Sequence, residues 1–447
     1  MIRNPLPPKR MIELLRDGRV SEFLGRASLL EPADLADILA LADEHERIEI
    51  AKLLPPDLTG EALIEMPEQE HAEDTLAALS PEQAAGIVEG MPDDDAADIL
   101  GELEPEQQQR ILSAVDTEER QEVERLLRYD VETAGGLMTG AMVMVQEDET
   151  VQEALESIRK QAERVKDFTE TYVVDQTGKL AGILGFKRLV LSPPDRPVRE
   201  LMDEPDVTVG PEMDQEEVAR LMSRYNVPSI PVVDRDGRLL GRITFDDVSD
   251  VVEEEATEDL LRFGGVSAEE DLGARWFEAV KTRLPWLYVN LLTAFVAASV
   301  VALFSNVIKA LPALAAWMTI ISGMGGNAGT QTLAVTVRRL ALGLIAPSAF
   351  LSVIGKEVMV GLACGIANGA VTALAAMAFH QPPMLGVVIC LAMTGNLFVA
   401  GFAGAFIPLL LERFKVDPAI ASSVFVTTFT DVCGFALLLG LGGWLLL

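Results

Sequence analysis

The order of apolar and polar positions divides the chain into two unlike parts. Uncharged, mostly apolar stretches cover residues 284–308, 310–337 and 358–411, and a fourth covers residues 418–447 with Asp431 as its single charge. A membrane-spanning helix needs about 20 such residues, so the stretch 358–411 is long enough for two, with His380 to Pro383 as the turn. The pattern predicts a transmembrane domain of five helices over residues 276–447, with residues 340–355 as a connecting segment.

Residues 1–130 carry a different pattern, in which short apolar helices are interrupted by prolines. The sequence Ser80-Pro81-Glu82-Gln83 is typical of a helix start, with Ser as the N-cap, Pro at the first helical position and Gln at the third. The stretches EPADLADIL and MPDDDAADIL are near copies of one unit. Because short helices that repeat along a chain stack on one another, the pattern predicts an α-helical superhelix as the N domain.

A second repeat lies between residues 138 and 252. Two segments of the first copy return in the second at a constant offset of 59: Val173-Val174-Asp175 as Val232-Val233-Asp234, and Gly178-Lys179-Leu180 as Gly237-Arg238-Leu239. Each copy reads as strand, turn, strand and helix, with an amphipathic helix in front. These β-α-β-β-α units resemble a tandem pair of CBS domains, which are α/β regulatory modules. We place them at residues 131–200 and 201–252.

The resemblance to CBS domains implies a site for adenine nucleotides or ions. The second copy ends in Gly241-x-x-Thr244-x-x-Asp247, the nucleotide-type ending, whereas the first copy has Gly185 and Arg188 at the corresponding positions. By this resemblance ATP is expected as a regulatory ligand. Its expected contacts are Tyr172, Arg188, Thr244 and Asp247.

Charge separates the two parts of the chain. The net charge is −33, yet six basic and four acidic residues occur from Leu284 onward, so all the excess negative charge lies in residues 1–283. Nucleic acid requires a basic surface and is excluded as a partner. The three cysteines and three histidines are scattered, which indicates neither a disulfide framework nor a zinc site. No nucleophile–base pair and no phosphate-binding Gly-x-x-x-x-Gly-Lys motif stands out, so an enzyme is not expected.

Basic residues near the predicted spans indicate an orientation in the membrane. Lys309 falls on one side, and seven basic residues fall on the other: Lys281, Arg283, Arg338, Arg339, Lys356, Arg413 and Lys415. Because basic residues favour the cytoplasmic side, the N-terminal half is expected inside and, with five spans, the C-terminus outside. We expect a multi-pass membrane protein with the lipid bilayer as a partner.

Asp431 is the strongest functional signal in the apolar part. An ionisable group near mid-span costs about 2.5–3.5 kcal/mol or more and usually faces a pathway or a partner. The second span adds a polar, Gly-rich stretch from Ser322 to Thr332, and the fourth contains Thr394-Gly-Asn396. The alternatives are helix packing through the glycines and a protonated Asp431 bonded to a neighbouring helix. Two Asp431 carboxylates on a dimer axis would match a hydrated Mg²⁺ ion.

A dense acidic run follows the CBS-like pair. Its members are Asp246, Asp247, Asp250, Glu253, Glu254, Glu255, Glu258 and Asp259. On a helix, like charges at such spacings repel by about 0.2–0.5 kcal/mol for each exposed pair. One interpretation is a solvated acidic face. The other is a gate, in which cations fill the gaps when abundant and repulsion opens them when cations are scarce.

The order of these parts resembles the MgtE family of bacterial magnesium channels along nearly the whole chain. The matching stretches are GGLMT at 135–139, DQEEVARLM at 214–222, EATEDL at 255–260, GGNAGTQ at 325–331, DPA at 417–419 and TDVCGF at 430–435. The resemblance implies a homodimer with a pore on its axis. It also implies a connecting plug helix, placed at residues 253–275, between the CBS pair and the spans.

The resemblance assigns roles to individual residues. Asp431 would hold hydrated Mg²⁺ in the pore, with Thr427 nearby and Asn327 lining the pore from the second span. The cytoplasmic Mg²⁺-sensing set would be Glu61, Asp94, Asp98, Asp214, Glu216, Asp247, Asp250, Glu255, Glu258 and Asp259. Asn226 departs from the pattern, because an acid is expected there. Bound Mg²⁺ would close the pore, and the membrane potential would drive entry when it is open.

Two further hypotheses come from other classes of protein. A membrane-anchored CBS-type sensor would use its spans only as an anchor, which leaves Asp431 without a purpose. A divalent transporter mainly for Co²⁺ or Mn²⁺ would have similar architecture, and all-oxygen ligands suit Mg²⁺ without excluding Mn²⁺. Unchanged Mg²⁺ uptake by an Asp431→Ala variant would favour the sensor, and the lack of Cys or His beside the proposed pathway favours Mg²⁺ over Co²⁺.

Overall fold

The computed structural model describes residues 6–67, 70–162, 165, 168–264, 266, 276–415 and 418–447. The chain forms two compact units, Met1–Glu253 and Glu254–Leu447. The first unit contains the helical N domain and the CBS-like pair, and the second contains the long apolar helices.

The N domain consists of short helices that begin at prolines or at capped turns. Five helices, α1, α3, α5, α7 and α9, have Pro within their first two positions, where the missing N–H costs no hydrogen bond. The predicted start at Ser80 is confirmed: Ser80 Oγ accepts from the Gln83 N–H at 3.3 Å and Gln83 Oε1 accepts from the Ser80 N–H at 3.4 Å. The helices are α1 Pro8–Arg16, α2 Val20–Ala27, α3 Pro32–Leu41, α4 Glu44–Leu53, α5 Pro56–Ile64, α6 Ala72–Ala77, α7 Pro81–Val88, α8 Asp93–Gly101, α9 Pro105–Leu112 and α10 Thr117–Leu126.

Alternate helices of the N domain stack in two rows, as the repeat predicts. In one row α1, α3, α5, α7 and α9 contact each other in order, and in the other α4, α6, α8 and α10 do so. The apolar residues between the rows are fully buried, among them Phe23, Leu35, Leu63, Ile87 and Leu100. Because each short helix buries its apolar face only against its neighbours, the stack is stable as a whole rather than helix by helix.

The CBS-like pair repeats its geometry at the predicted offset. Strand β1 (Met144–Gln146) runs parallel to β2 (Glu170–Val174), which pairs antiparallel with β3 (Leu180–Gly185); β4 (Ser229–Val233) pairs antiparallel with β5 (Leu239–Thr244). The register shifts after Val173 in the first copy and after Val232 in the second, 59 residues apart. The helices are α11 Val151–Gln161, α12 Phe186–Leu191, α13 Gln215–Tyr225 and α14 Phe245–Phe263. The first strand expected in the second copy is reduced to one bridge between Val209 and Val232.

Each copy of the pair is completed by the segment that precedes the other copy. Thr139, in the segment that follows the N domain, forms an antiparallel bridge with Arg242 of the second copy. Asp203, in the segment between the copies, pairs in the same way with Ile183 of the first copy. The Ala134 N–H also donates to the Met213 carbonyl at 2.7 Å, so the segment after the N domain is fixed to the second copy.

The second unit consists of long helices. They are α15 Trp276–Leu303, the short α16 Ser305–Ala310, α17 Ala313–Ala341, α18 Phe350–Ala378, α19 Pro383–Arg413 and α20 Pro418–Leu446. Within the described residues, four helices are long and apolar enough to cross a membrane: 279–303, 350–378, 383–413 and 424–446. Helix α17 has 29 residues, but the polar stretch from Ser322 to Thr332 makes it less apolar than the others.

The predicted connecting segment over residues 340–355 is wrong in its C-terminal part, because α18 begins at Phe350. The uncharged stretch begins only at residue 358, but the helix already includes Lys356 and Glu357. The Glu357 side chain is buried and pairs with Lys356 Nζ at 3.3 Å. The buried carboxylate is compensated by Lys356, whose own side chain is exposed, so both charged residues can lie within the helix.

Helices α18 and α19 pack closely through a row of glycines. Gly361, Gly365 and Gly369 are buried at four-residue intervals along α18. A Cβ atom added at Gly365 would lie 2.8 Å from Thr394 Cα in α19, and one at Gly369 would lie 2.8 Å from the Cys390 carbonyl oxygen. Close backbone approach of this kind is how helices associate in an apolar solvent that supplies no hydrophobic driving force.

Candidate ion pathway and cation-sensing site

Asp431 lies half-buried in α20 and contacts α17. The Ser322 hydroxyl of α17 donates a hydrogen bond to Asp431 Oδ1. Thr427 lies one turn earlier on the same face of α20, and its methyl group faces Gly326 of α17, where an added Cβ would lie 3.9 Å away. Asn327, the next residue of α17, is exposed on the single chain. The structure therefore brings Thr427, Asp431 and the polar stretch of α17 together.

Asn396 connects this region to the third helix, α19. Its side chain is fully buried, and Nδ2 donates to the Ile321 carbonyl of α17 at 2.9 Å. The neighbouring Thr430 is also fully buried, and its hydroxyl donates to the Thr427 carbonyl at 2.9 Å. Polar side chains from three apolar helices thus meet at one level.

An acidic cluster lies where the N domain contacts the second CBS-like copy. Burial, together with the charge of Asp247, raises the pKa of Asp94 to about 7. Burial and the charges of Asp94 and Asp247 raise the pKa of Asp95 to about 8. Burial also raises the pKa of Asp247, although Thr244 Oγ1 donates to its Oδ2 at 2.6 Å and lowers it. Like charges are therefore held close together in a partly dry contact, which favours a bound cation.

The remaining predicted sensing residues have other surroundings. Asp214 caps α13 by accepting from the Glu216 N–H at 2.9 Å, which places both residues at the start of that helix. Asp98 and Asp250 are exposed, and Glu61 of α5 and Glu255 of α14 are half-buried. Glu258 forms an ion pair with Arg262, and the side chain of Asp259 lies outside the described residues.

No three His, Cys, Asp or Glu side chains of the described residues are close enough to hold one metal ion directly. The buried Asp94 Oδ1 has no hydrogen-bond partner among these residues. Mg²⁺ is a hard cation that keeps several water molecules and often uses one or two carboxylates. The all-oxygen cluster around Asp94, Asp95 and Asp247 therefore fits a Mg²⁺ ion held largely through its water shell.

The predicted nucleotide contacts are occupied by protein groups. The Tyr172 side chain is buried, its hydroxyl lies 2.6 Å from Ser229 Oγ, and burial raises its pKa to about 12. Arg188 pairs with Asp203 Oδ2 at 2.6 Å and donates to the Leu201 carbonyl at 2.8 Å. Thr244 is bonded to Asp247, so Asp247 belongs to both the expected nucleotide set and the acidic cluster.

Some residues of the site carry no assigned role in the sequence analysis. Asp95 was not singled out, although the run Asp93-Asp94-Asp95 at the start of a helix is a visible signal. Ser322 and Asn396 lie in the polar stretches that the sequence identifies, but their partners depend on tertiary packing. Asn226 has a structural explanation, because it ends α13 with φ 53°, a left-handed conformation that Asn tolerates better than an acid of Glu length.

Comparison with known families divides the chain in the same way. Residues 30–132 match the MgtE intracellular N domain, residues 134–192 and 198–254 each match the CBS domain, and residues 318–441 match MgtE, described as a divalent cation transporter. The structure and these matches define a membrane transporter of divalent cations that carries an N domain and a CBS pair.

Relatives match along nearly the whole chain. A protein of Bacillus subtilis named magnesium transporter MgtE is 32% identical and aligns over 97% of this chain and 96% of its own length. The protein of that name from Enterococcus faecalis is 35% identical over 94% of this chain and 93% of its own length. The chain belongs to the MgtE family of magnesium transporters.

Two solved structures resemble the N-terminal half. The soluble part of a magnesium transporter is 30% identical, with a TM-score of 0.51, and the match covers 56% of this chain and 98% of that one. The cytosolic domain of the Mg²⁺ channel MgtE in complex with ATP is 35% identical, with a TM-score of 0.52, over 55% of this chain and 100% of that one.

Proposed function

We propose that the protein is a Mg²⁺-selective channel that is closed by cytoplasmic Mg²⁺. The observation that carries this proposal is the half-buried Asp431 in an apolar helix, with Ser322 as its hydrogen-bond donor. An anchor helix gains nothing from a carboxylate whose burial is costly, whereas carboxylates within spans commonly line cation pathways. The relatives named magnesium transporter support Mg²⁺ as the transported ion.

The pore is expected on the axis of a homodimer. Each chain supplies one Asp431, so two copies related by a two-fold axis bring two carboxylates to a single divalent ion. Mg²⁺ would pass with most of its water shell, with Asp431 as the anionic contact and Thr427 and Asn327 beside it. Helix α17 would then be the fifth span with α15, α18, α19 and α20, so the two ends of the chain would lie on opposite sides of the inner membrane. The basic residues near the spans favour the cytoplasm for the N-terminal half and the outside for the C-terminus.

The acidic cluster around Asp94, Asp95 and Asp247 is the proposed sensor. Its carboxylates come from the N domain and from the first turn of α14, and their mutual repulsion weakens that contact. A bound Mg²⁺ ion would offset the repulsion and hold the N domain against the second CBS domain. In the proposed mechanism this contact, together with the acids of α14, keeps the pore closed until cytoplasmic Mg²⁺ falls.

ATP is the proposed second regulator. A related cytosolic domain was solved in complex with ATP, and this chain has the nucleotide-type ending with Thr244 and Asp247 in its second CBS domain. Tyr172 and Arg188 complete the proposed site. Since Asp247 would serve both ligands, ATP and Mg²⁺ are expected to influence each other's binding.

The proposal is tested by Mg²⁺ influx into proteoliposomes that contain the full-length protein. The wild type is compared with Asp431→Asn at low and high Mg²⁺ on the cytoplasmic side. We expect the variant to lose flux and high Mg²⁺ to suppress wild-type flux. Normal flux in the variant would make Asp431 structural and favour a sensor with anchoring spans. Wild-type flux that ignores cytoplasmic Mg²⁺ would remove the sensor assignment, and preferential uptake of Co²⁺ or Mn²⁺ would change the assigned ion.

A further inference from the structure

Asn396 occupies the point where three helices of the second unit meet. It is fully buried in α19, and its Nδ2 donates to the Ile321 carbonyl of α17 at 2.9 Å. Its Oδ1 has no hydrogen-bond partner among the described residues. An amide buried in an apolar helix bundle is costly, because each unpaired polar atom forfeits its interaction with water. A plain packing role would be served better by Leu, which has a similar size.

Two glycines make room for this amide. Gly325 of α17 lies against it on one side, so closely that an added Cβ would overlap Nδ2 and would lie 2.9 Å from Cγ. Gly434 of α20 lies on the other side, where an added Cβ would be 2.8 Å from Nδ2 and 3.2 Å from Oδ1. The amide therefore lies between the backbones of α17 and α20 and sets how closely they approach.

The same two helices carry the hydrogen bond to the proposed pore carboxylate. Ile321, which accepts from Asn396, directly precedes Ser322, which donates to Asp431 Oδ1. On α20, Gly434 follows Asp431 by three residues, which is less than one helical turn. A change in the position of the amide would thus shift Ser322 and Asp431 relative to each other.

We propose that Asn396 is a positioning residue for ion selection, and this rests on the proposed function of Asp431. By fixing α17 against α20 at this level, Asn396 holds the Ser322–Asp431 pair in one geometry, so that the carboxylate presents one orientation to a hydrated cation. Mg²⁺ dehydrates reluctantly and is recognised through its water shell, so it depends on a carboxylate at a fixed distance, whereas Mn²⁺ exchanges its water more readily and can bind a displaced carboxylate directly. Loss of the amide should therefore reduce Mg²⁺ flux more than Mn²⁺ flux.

The test is a double-mutant comparison in full-length protein reconstituted into proteoliposomes. Asn396→Leu, Ser322→Ala and the double variant are compared with the wild type for initial influx of Mg²⁺ and of Mn²⁺. Asn368→Leu is the matched control, because Asn368 is a half-buried asparagine of α18 whose Nδ2 donates within its own helix, to the Cys364 carbonyl at 2.9 Å. Size-exclusion chromatography and thermal unfolding report whether each variant is folded.

We expect each single variant to lower Mg²⁺ influx by about tenfold and to lower the Mg²⁺ to Mn²⁺ ratio, because displacements of about 1 Å at a reactive group have large effects. Since both variants act on one hydrogen bond, the double variant should lose no more than the worse single variant. Multiplied losses, an unchanged ion ratio, or normal Mg²⁺ influx in Asn396→Leu would each overturn the proposal.

Two further variants keep the outcome interpretable. If Asn396→Leu does not fold, Gly434→Ala takes its place, since the added Cβ displaces the amide without removing it. It should reproduce the fall in the Mg²⁺ to Mn²⁺ ratio, and an unchanged ratio would overturn the proposal. Asp431→Asn distinguishes failure of the pore assignment from failure of the positioning role. If this variant conducts normally, the pore assignment fails. If it blocks flux while Asn396→Leu conducts normally, only the positioning role of Asn396 fails.

Discussion

The Tyr172 hydroxyl of the first CBS domain and the Ser229 hydroxyl of the second lie 2.6 Å apart in the buried contact between the two copies. Ser229 Oγ also donates to Glu170 Oε2 at 3.3 Å, so the bond is part of a small network that joins β2 and β4. The two copies are also linked at their hairpin turns, where the Leu180 N–H donates to the Gly237 carbonyl at 3.0 Å and the Leu239 N–H to the Gly178 carbonyl at 3.1 Å. The pair therefore behaves as one folded body.

Removal of the Tyr172 hydroxyl should destabilise the CBS pair. Tyr172→Phe leaves a buried Ser229 with one partner fewer, which typically costs about 1 kcal/mol. Thermal unfolding of the full-length protein measures the change, with Tyr225→Phe as the control because Tyr225 is exposed. ATP binding to the same variant tests the nucleotide assignment: a large loss of affinity would show that the phenol itself contacts the nucleotide.

The acidic cluster should make the contact between the N domain and the second CBS domain sensitive to pH in the absence of Mg²⁺. The pKa values of Asp94 and Asp95, about 7 and about 8, exceed the usual aspartate value, so the folded contact binds protons more tightly than the unfolded chain. Its stability is complete below about pH 4 and decreases as the pH rises through 7 and 8. Added Mg²⁺ should restore stability above pH 8.

Asp95→Asn checks this assignment. Without Mg²⁺ at pH 8.5 it should raise the free energy of unfolding by at least about 1 kcal/mol, because one pKa unit corresponds to about 1.4 kcal/mol. It should also flatten the pH profile measured by thermal unfolding. Asp37→Asn, at an exposed position of α3, is the control. Equal profiles for Asp95→Asn and the wild type would mean that the cluster is hydrated and its charges are screened.

Arg125 should strengthen closure by holding the N domain on the second CBS domain. Its guanidinium donates to the Leu240 carbonyl of β5 at 3.0 Å and pairs with Glu122 at 2.8 Å. Arg125→Ala removes a charged, partly exposed hydrogen bond worth about 1 kcal/mol, so roughly fivefold more cytoplasmic Mg²⁺ should be needed to suppress influx. Arg120→Ala removes only a loose surface pair with Glu124 and is the control. The same Mg²⁺ requirement for both variants would contradict the assignment.

The glycine row of α18 should tolerate no side chain. Gly365→Ala would place a Cβ 2.8 Å from the Thr394 backbone, and overpacking of this kind costs about 1–3 kcal/mol. Gly355→Ala on the same helix is the matched control, since an added Cβ there meets nothing within 4 Å. Thermal unfolding in detergent should show a lower midpoint for Gly365→Ala alone. Identical unfolding midpoints for the two variants would mean that α18 and α19 can move apart without loss of stability.

Local patterns predict much of this fold, and contacts between distant segments account for what they miss. The 59-residue repeat predicts the paired strands, down to the register shifts after Val173 and Val232, because each copy forms the same hairpin from the same residues. The start of α18 at Phe350 could not be read from the sequence, since Lys356 and Glu357 resemble a span boundary until their pairing and the burial of Glu357 are known.

The candidate site divides in the same way. Asp431 is evident as a charge in an apolar stretch, and Asp94 and Asp247 are evident as members of acidic runs. Their partners are not evident: Ser322 is 109 residues from Asp431, and Asp95 gains its importance only from burial against Asp247. Sequence reveals which residues have unusual chemistry, whereas packing decides which of them act together.

The pairing of the segment after the N domain with the second CBS domain defines a mechanical route through the protein. Thr139 exchanges backbone hydrogen bonds with Arg242, at 2.9 and 3.0 Å, three residues before α14 begins at Phe245. A displacement of the N domain is thus passed to the start of α14 through β5, in addition to the direct contact of Asp94 and Asp95 with Asp247. Mutations and ligands elsewhere in the CBS pair would then alter the rigidity of the structure around β5. Changes at Thr139 or Arg242 would instead uncouple the N domain from α14.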